Sequence, residues 1–294
     1  MTYLEDEIFS QPASWRTAIE RVAAAAYQSA LPRPRERVAV IGCGSSLNVA
    51  RAYARLREDA GHGLTDAYPA SELTSARAYD RMVFISRTGT TSEVLAALRA
   101  APAGVPTTSV TADPAAPLAR ETGSVVLLDF AAERSVVSSQ FISTAIVTVR
   151  AHLGEDLAGL PERAAAELGR PLQAGLAERK EFTFLGTGWA AFVADEAALK
   201  LREASRSWAE SYPALEFRHG PISVSDSHTA VWGIGDIPAP LAEDAARTGA
   251  LVIADGGDPL VALTAAQRLA VALAAGKGVN PDHPRSLSRS VILA

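Results

Sequence analysis

Residues 37–46 read RVAVIGCGSS, and residues 181–190 read EFTFLGTGWA. Each is a short apolar run that ends in G-x-G and passes into a stretch of helical character. A strand that stops at glycines and turns straight into a helix presents backbone N–H groups at a helix N-terminus, a setting suited to an anion such as phosphate. Two copies, about 144 residues apart, point to two similar α/β halves in one chain. The first G-x-G lacks the third glycine of a dinucleotide fingerprint, which disfavours a dinucleotide site.

Outward from these segments, strands are expected at 82–85, 105–110 and 124–128, separated by helices at 46–59, 91–100 and 139–153. The second half continues with strands near 182–185, 229–234 and 249–253 and helices at 189–210, 240–247 and 259–275. Strands alternating with helices imply βαβ units and parallel sheets. The expected organisation is an N-terminal helical segment (1–30, its helix at 14–30), a first α/β half (31–153), a linking helix (154–180) and a second half with a C-terminal tail (181–294). The fold class is therefore α/β, two tandem doubly wound parallel-sheet subdomains.

Composition narrows the function. At 294 residues the chain can bury two ordinary cores. Its net charge is −5 with no basic run, which argues against nucleic acid or an anionic membrane surface as partner. No apolar stretch reaches ~18 uncharged residues, and the acidic start MTYLEDEIFSQ lacks the apolar core of a signal peptide. One cysteine, Cys43, allows neither an intrachain disulfide nor a Cys-rich zinc site. These features fit a cytoplasmic enzyme with a small-molecule substrate.

Five motifs could carry chemistry. The loop Gly42-Cys43-Gly44-Ser45-Ser46 could hold phosphate through hydroxyls and amides, or be a βα turn with a serine cap. Ser86-Arg87-Thr88-Gly89-Thr90-Thr91-Ser92 places five hydroxyls around one glycine before a helix, more than capping requires, and such a neutral donor set can hold a phosphate without lysine. Glu196, Lys200, Glu203 and Ser207 recur on one helical face. That pattern suits a general base beside a lysine and equally a solvated ladder of ion pairs. His219 precedes Gly220-Pro221 and is a loop histidine able to move protons near neutrality, or simply an exposed one. Arg285 and Arg289 in the tail are candidate phosphate ligands or surface charge.

Taken together and in order, these motifs resemble the sugar isomerase (SIS) domain family, in particular the isomerase half of glucosamine-6-phosphate synthase and its stand-alone relatives. The family's C-G-[TS]-S is residues 43–46, its S-x-[ST]-G-x-T residues 86–91, its A-L-K-L-[KR]-E residues 198–203, its H-G-P residues 219–221, and its closing P-R-x-L-[AS]-K-S-V residues 284–291. The resemblance covers nearly the whole chain. It implies that Ser46, Ser86, Thr88 and Thr91 hold the 6-phosphate of a sugar, with Gly44, Ser45, Arg87, Lys200 and Arg289 as further phosphate or substrate contacts. Glu203 would move a proton between C1 and C2, and His219 would open the ring. In relatives the histidine comes from the partner subunit, which implies a homodimer. Segment 134–144 resembles the family stretch S-V-A-S-T-K-A-F-T-T and adds Val136 and Ser138 as sugar contacts. No metal or organic cofactor is implied.

Two departures stand out. Glutaminase residues do not precede the isomerase motifs, so the chain is expected not to draw ammonia from glutamine. The family's imine-forming lysine is Arg289, which stays protonated and cannot be that nucleophile, although it can still bind an anion; Gln140 replaces a second lysine. The expected activity is a catabolic isomerase or deaminase of a hexosamine 6-phosphate such as glucosamine 6-phosphate. The alternatives are a dehydratase that eliminates the 3-hydroxyl of an (N-acetyl)hexosamine 6-phosphate through the same intermediate, and a non-catalytic sugar-phosphate sensor.

Overall fold

The computed structural model describes residues 2–74 and 77–293. Among them run strands β1 (Val38–Gly42), β2 (Thr65–Pro69), β3 (Arg81–Ile85), β4 (Thr107–Thr111) and β5 (Ser124–Leu127), then β6 (Glu181–Gly186), β7 (Trp208–Pro213), β8 (Thr229–Ile234) and β9 (Leu251–Ile253). The helices are α1 (Tyr3–Val22), α2 (Ala25–Ala30), α3 (Ser45–Asp59), α4 (Ser92–Arg99), α5 (Pro117–Glu121), α6 (Gln140–His152), α7 (Leu160–Leu168), α8 (Ala190–Ser205), α9 (Ala239–Arg247) and α10 (Pro259–Gly276). The chain forms two compact units: residues 10–134, 138–161 and 288–294, and residues 1–9, 135–137 and 162–287.

The unit that holds the first G-x-G has a five-stranded parallel sheet ordered β2-β1-β3-β4-β5. Its inner strands β1 (VAVIG) and β3 (RMVFI) are buried along their whole length, as strands covered on both faces should be. Ile41, Phe84, Val94 and Leu118 form part of the core that packs α4 and α5 on the sheet. The order reverses between β1 and β3, and ligands of open parallel sheets bind outside the strand C-termini at such a switch point. The loops that leave β1 and β3 there are the two hydroxyl-bearing loops of the sequence.

The other unit repeats the scheme with four parallel strands, β7-β6-β8-β9. Leu185, Phe217, Val231 and Leu241 belong to one of its cores. α10 is long and apolar enough by composition to cross a membrane, but it carries Arg268, packs along α8, and is more than half buried.

The paired G-x-G motifs have one stereochemical cause. A Cβ on Gly42 would sit 2.6 Å from the Ser46 backbone, and one on Gly186 2.3 Å from that of Ala190, so the strand can meet its helix only through glycine. The second glycines, Gly44 and Gly188, have left-handed φ of 54° and 62°.

Several elements differ from expectation. The first helix starts at Tyr3 rather than near residue 14, because Asp282 accepts the Tyr3 and Leu4 N–H groups at 2.8 and 2.9 Å and caps it. It ends at Val22, and a separate short helix, α2, follows. The helix expected over 189–210 stops at Ser205, where Arg206 turns left-handed (φ 51°); the rest becomes β7. β2 was not foreseen either. Within 154–180 the α-helix spans Leu160–Leu168.

Candidate active site

In the first unit the loop after β1 enters α3 at Ser45. Gly44 is exposed, Ser45 partly exposed, and Ser46 buried. Cys43 is half-buried, and burial pushes its thiol up, so it is a poor nucleophile. The loop after β3 folds on its own hydroxyls. Ser86 Oγ accepts the Gly89 N–H at 3.1 Å and lies 3.4 Å from Thr91 Oγ1. Thr90 Oγ1 lies 3.1 Å from Thr88 Oγ1 and 2.9 Å from Ser290 Oγ, within hydrogen-bond reach of both. Gly89 is left-handed, and a Cβ there would meet that of Ala116 at 2.6 Å.

The end of the C-terminal tail, from Ser288 on, belongs to this unit, and Arg285 belongs to the other. The Ser92 N–H at the start of α4 donates to the Val291 carbonyl at 3.1 Å, and the Leu293 N–H donates to Ser92 Oγ at 2.9 Å. Residues 290–293 are thus bound to the hydroxyl loop, and the exposed Arg289 lies at its edge. Arg285 is also exposed.

Arg87 does not offer a free charge to the loop. Its guanidinium is buried and pairs with Glu133 at 3.0 Å, and Nη2 also reaches the Arg289 carbonyl at 3.4 Å. The same fully buried carboxylate accepts from Ser138 Oγ (2.8 Å), Ser139 N (2.6 Å) and Gln140 N (2.7 Å), which caps α6. Arg87 and Ser138 therefore brace the loop from behind. Gln140 is buried against Ser14, and Val136 is partly buried in the other unit.

In the second unit α8 carries Glu196, Lys200 and Glu203. Lys200 is fully buried, and its Nζ lies 2.5 Å from Glu203 Oε2 and 3.2 Å from Glu196 Oε1. Burial works to lower the Lys200 pKa, but the two carboxylates outweigh it and hold the ammonium above the ordinary value. Glu196 is inaccessible, whereas the Glu203 side chain remains one-fifth exposed. Of the ladder read from the sequence, Glu203 is thus the carboxylate that a substrate can reach. Ser207 does not join that face, since the helix ends before it.

His219 is exposed at the end of the 3₁₀ turn Ala214–His219, which follows β7. Glu203 precedes β7, and six strand residues span roughly 17 Å. The two thus flank opposite ends of that strand. Sequence reasoning missed Glu133 and Lys277. The acidic residue seven before Gln140 gave no local signal, because its partners come from two loops.

The fold and loops define a class: tandem parallel α/β units with a hydroxyl-lined helix N-terminus at a sheet switch point. Residues 33–150 match the model of the SIS domain family. Glutamine–fructose-6-phosphate aminotransferase (isomerizing) from Gloeobacter violaceus is 28% identical over 87% of this chain and 52% of its own length; the enzyme of that name from Bradyrhizobium diazoefficiens is 28% identical over 98% and 58%. The chain spans about half the length of the curated relatives it matches. Among solved structures, glucosamine-6-phosphate deaminase from Thermotoga maritima superposes with a TM-score of 0.80 at 23% identity, covering 99% of this chain and 100% of that one. Tagatose-6-phosphate ketose/aldose isomerase from Escherichia coli gives 0.80 at 20% identity, covering 100% and 96%. The fold is that of SIS phosphosugar isomerases and deaminases.

Proposed function

We propose that this protein is a cytoplasmic isomerase or deaminase of a hexosamine 6-phosphate, acting by proton abstraction at C2. The observation that carries the reading is the partly exposed Glu203 carboxylate fixed on a fully buried lysine, in a chain whose SIS domain carries a surplus of hydroxyls at a helix N-terminus. Ser46, Ser86, Thr88 and Thr91, with the α3 and α4 amides, bind the phosphate dianion. His219 protonates the ring oxygen as the anomeric hydroxyl loses its proton, which gives the open aldehyde. The Glu203 carboxylate takes the C2 proton, and the electron pair left behind forms the enolamine. Return of that proton to C1 gives the ketimine, and water then releases ammonia and the ketose phosphate. Loss of the 3-hydroxyl from the same intermediate would instead be dehydration.

The positions of Glu203 and His219 beyond opposite ends of β7 support a homodimer in which each site takes its histidine from the other copy. Proton NMR in D₂O with glucosamine 6-phosphate and its N-acetyl form tests the reading. Loss of the C2 proton signal with formation of a ketose phosphate is expected. An unsaturated product selects elimination, binding without exchange selects a sensor, and failure of both sugars to bind removes the hexosamine 6-phosphate assignment.

A further inference from the structure

Glu203 lies in the last turn of α8, where carbonyls lack helical partners and the backbone is prone to fray. The chain leaves this turn through a junction tied together from both sides. Arg206 takes a left-handed conformation and returns its N–H to the Arg202 and Leu201 carbonyls. The Leu201 carbonyl also accepts Ser205 Oγ at 2.7 Å and Ser207 N at 3.4 Å. Arg202 Nη1 holds the Ala209 carbonyl at 2.6 Å.

Lys277, the residue after α10, closes this junction. Its Nζ donates to the Ser205 carbonyl at 3.2 Å and to Ser207 Oγ at 2.7 Å. Ser207 Oγ lies 2.8 Å from Ser205 Oγ, so donors run in one direction from Lys277 through Ser207 and Ser205 to the Leu201 carbonyl. Ser205 and Ser207 are both buried. No ion pair among the described residues includes Lys277, and burial pushes its ammonium down. The charge is therefore committed to a helix terminus already closed by local hydrogen bonds, two residues from Glu203. A cation on the last carbonyls also meets the negative end of the helix dipole.

We propose that Lys277 is a positioning residue for proton transfer: through Ser205 and Ser207 it fixes the terminal turn of α8 and thereby the direction of the Glu203 carboxylate. The proposal rests on the reading of Glu203 as the base. Lys200 holds that carboxylate from within the helix, and Lys277 holds the backbone that bears it.

The test uses Lys277→Met, Lys277→Arg and, as a control on the same helix, Arg268→Ala, which removes contacts to the Glu167 and Arg170 carbonyls. With hexosamine 6-phosphate, Lys277→Met should lower kcat for C2 proton exchange roughly 10- to 100-fold with KM changed less than about twofold, since a misplacement of about 1 Å is enough for such a loss. Lys277→Arg should recover most of it, and Arg268→Ala should keep the wild-type kcat. Independently of turnover, the side-chain carboxyl ¹³C resonance of Glu203, assigned through its absence in Glu203→Gln, should move in Lys277→Met and stay in Arg268→Ala. An unchanged kcat in Lys277→Met, an equal fall in Arg268→Ala, or an unmoved Glu203 resonance overturns the proposal. If the wild type exchanges neither sugar, the functional reading fails while the ¹³C comparison still decides the clamp.

Discussion

Replacing Lys200 by methionine tests the electrostatic centre of α8. The lysine is fully buried with Glu203 at 2.5 Å and Glu196 at 3.2 Å. Removing it strips the cation from two carboxylates with different access to water. Glu203 can turn its exposed fifth to solvent, but Glu196 is inaccessible, so the cost falls mainly there. Breaking a buried pair by deleting one partner costs about 3–5 kcal/mol. At roughly 2–4 °C per kcal/mol for a chain of this size, that lowers Tm by about 6–20 °C. Wild-type Lys200 is raised above its ordinary 10.5, so its contribution is complete below that pH and is lost as pH climbs through the raised value. In Lys200→Met the stranded Glu196 should hold a proton more tightly than in the unfolded chain, so the variant should become relatively more stable as pH falls. Urea titrations of wild type, Lys200→Met and Glu196→Leu/Lys200→Met at pH 5.5 and 8 provide the measurement. The double variant should regain most of the loss, because an apolar pair has no charge to desolvate. A deficit below about 1 kcal/mol in Lys200→Met, or a double variant no better than the single, would refute this account.

Glu203→Gln should abolish C2 proton exchange while inorganic phosphate affinity stays within about twofold, because an amide keeps the shape but cannot take the proton; NMR exchange and calorimetry decide it. Mixing Glu203→Gln with His219→Asn after mild dissociation should restore ~25% of wild-type activity if a two-fold dimer shares its sites, since half the dimers are mixed and each then has one intact site. No recovery would place His219 outside the site formed with Glu203. Glu133→Ala should cost about 3–5 kcal/mol in denaturant titration, because it leaves buried Arg87 without its carboxylate and uncaps α6. Inorganic phosphate should bind at one equivalent per chain, weaken at least tenfold in Ser86→Ala/Thr91→Val, and be unaffected by Asp236→Asn; binding intact in the double variant would show that the hydroxyl loop is not the cradle.

The parallel sheets were legible because β1, β3, β6 and β8 hold apolar runs, and β1 and β6 close on glycines that stereochemistry requires. The edge strands were not. TDAYP and WAESYP face solvent along one side and have few buried residues, so they show no apolar run. They were nevertheless encoded as a repeat. AYPASEL at 67–73 and SYPALEF at 211–217 stand 144 residues apart, the same offset as Gly42 and Gly186, and a search for internal periodicity would have found both strands. The hydroxyl loop and the Lys200–Glu203 spacing were local and therefore visible. The partner that neutralises Arg87, the capping of α1 by Asp282 and the reach of Lys277 to Ser207 are long-range contacts. Local pattern does not specify them.

The repeat also bears on why the proposed phosphate loop lies in one half. After β3 the chain presents hydroxyls around Gly89, and its one arginine is neutralised from behind by Glu133. After β8, the corresponding strand of the second sheet, it presents Gly235 and Asp236. Gly257 N–H, from the loop after β9, donates to Asp236 Oδ1 at 3.4 Å, and a Cβ on Gly256 would lie 2.5 Å from that oxygen, so the two loops close around this carboxylate. An anion approaching there meets a negative charge where the first half offers neutral donors. The second half, without a cradle, instead buries a lysine between two carboxylates and spends a further cation on the end of the same helix. Helix termini recur in both halves, but the first gathers hydroxyls at a helix N-terminus, whereas the second ties up the carbonyl end of α8 next to Glu203. On the proposed reading, one fold used twice separates holding the phosphate from moving the proton, the first task falling to hydroxyls at a helix N-terminus and the second to a carboxylate at a helix C-terminus.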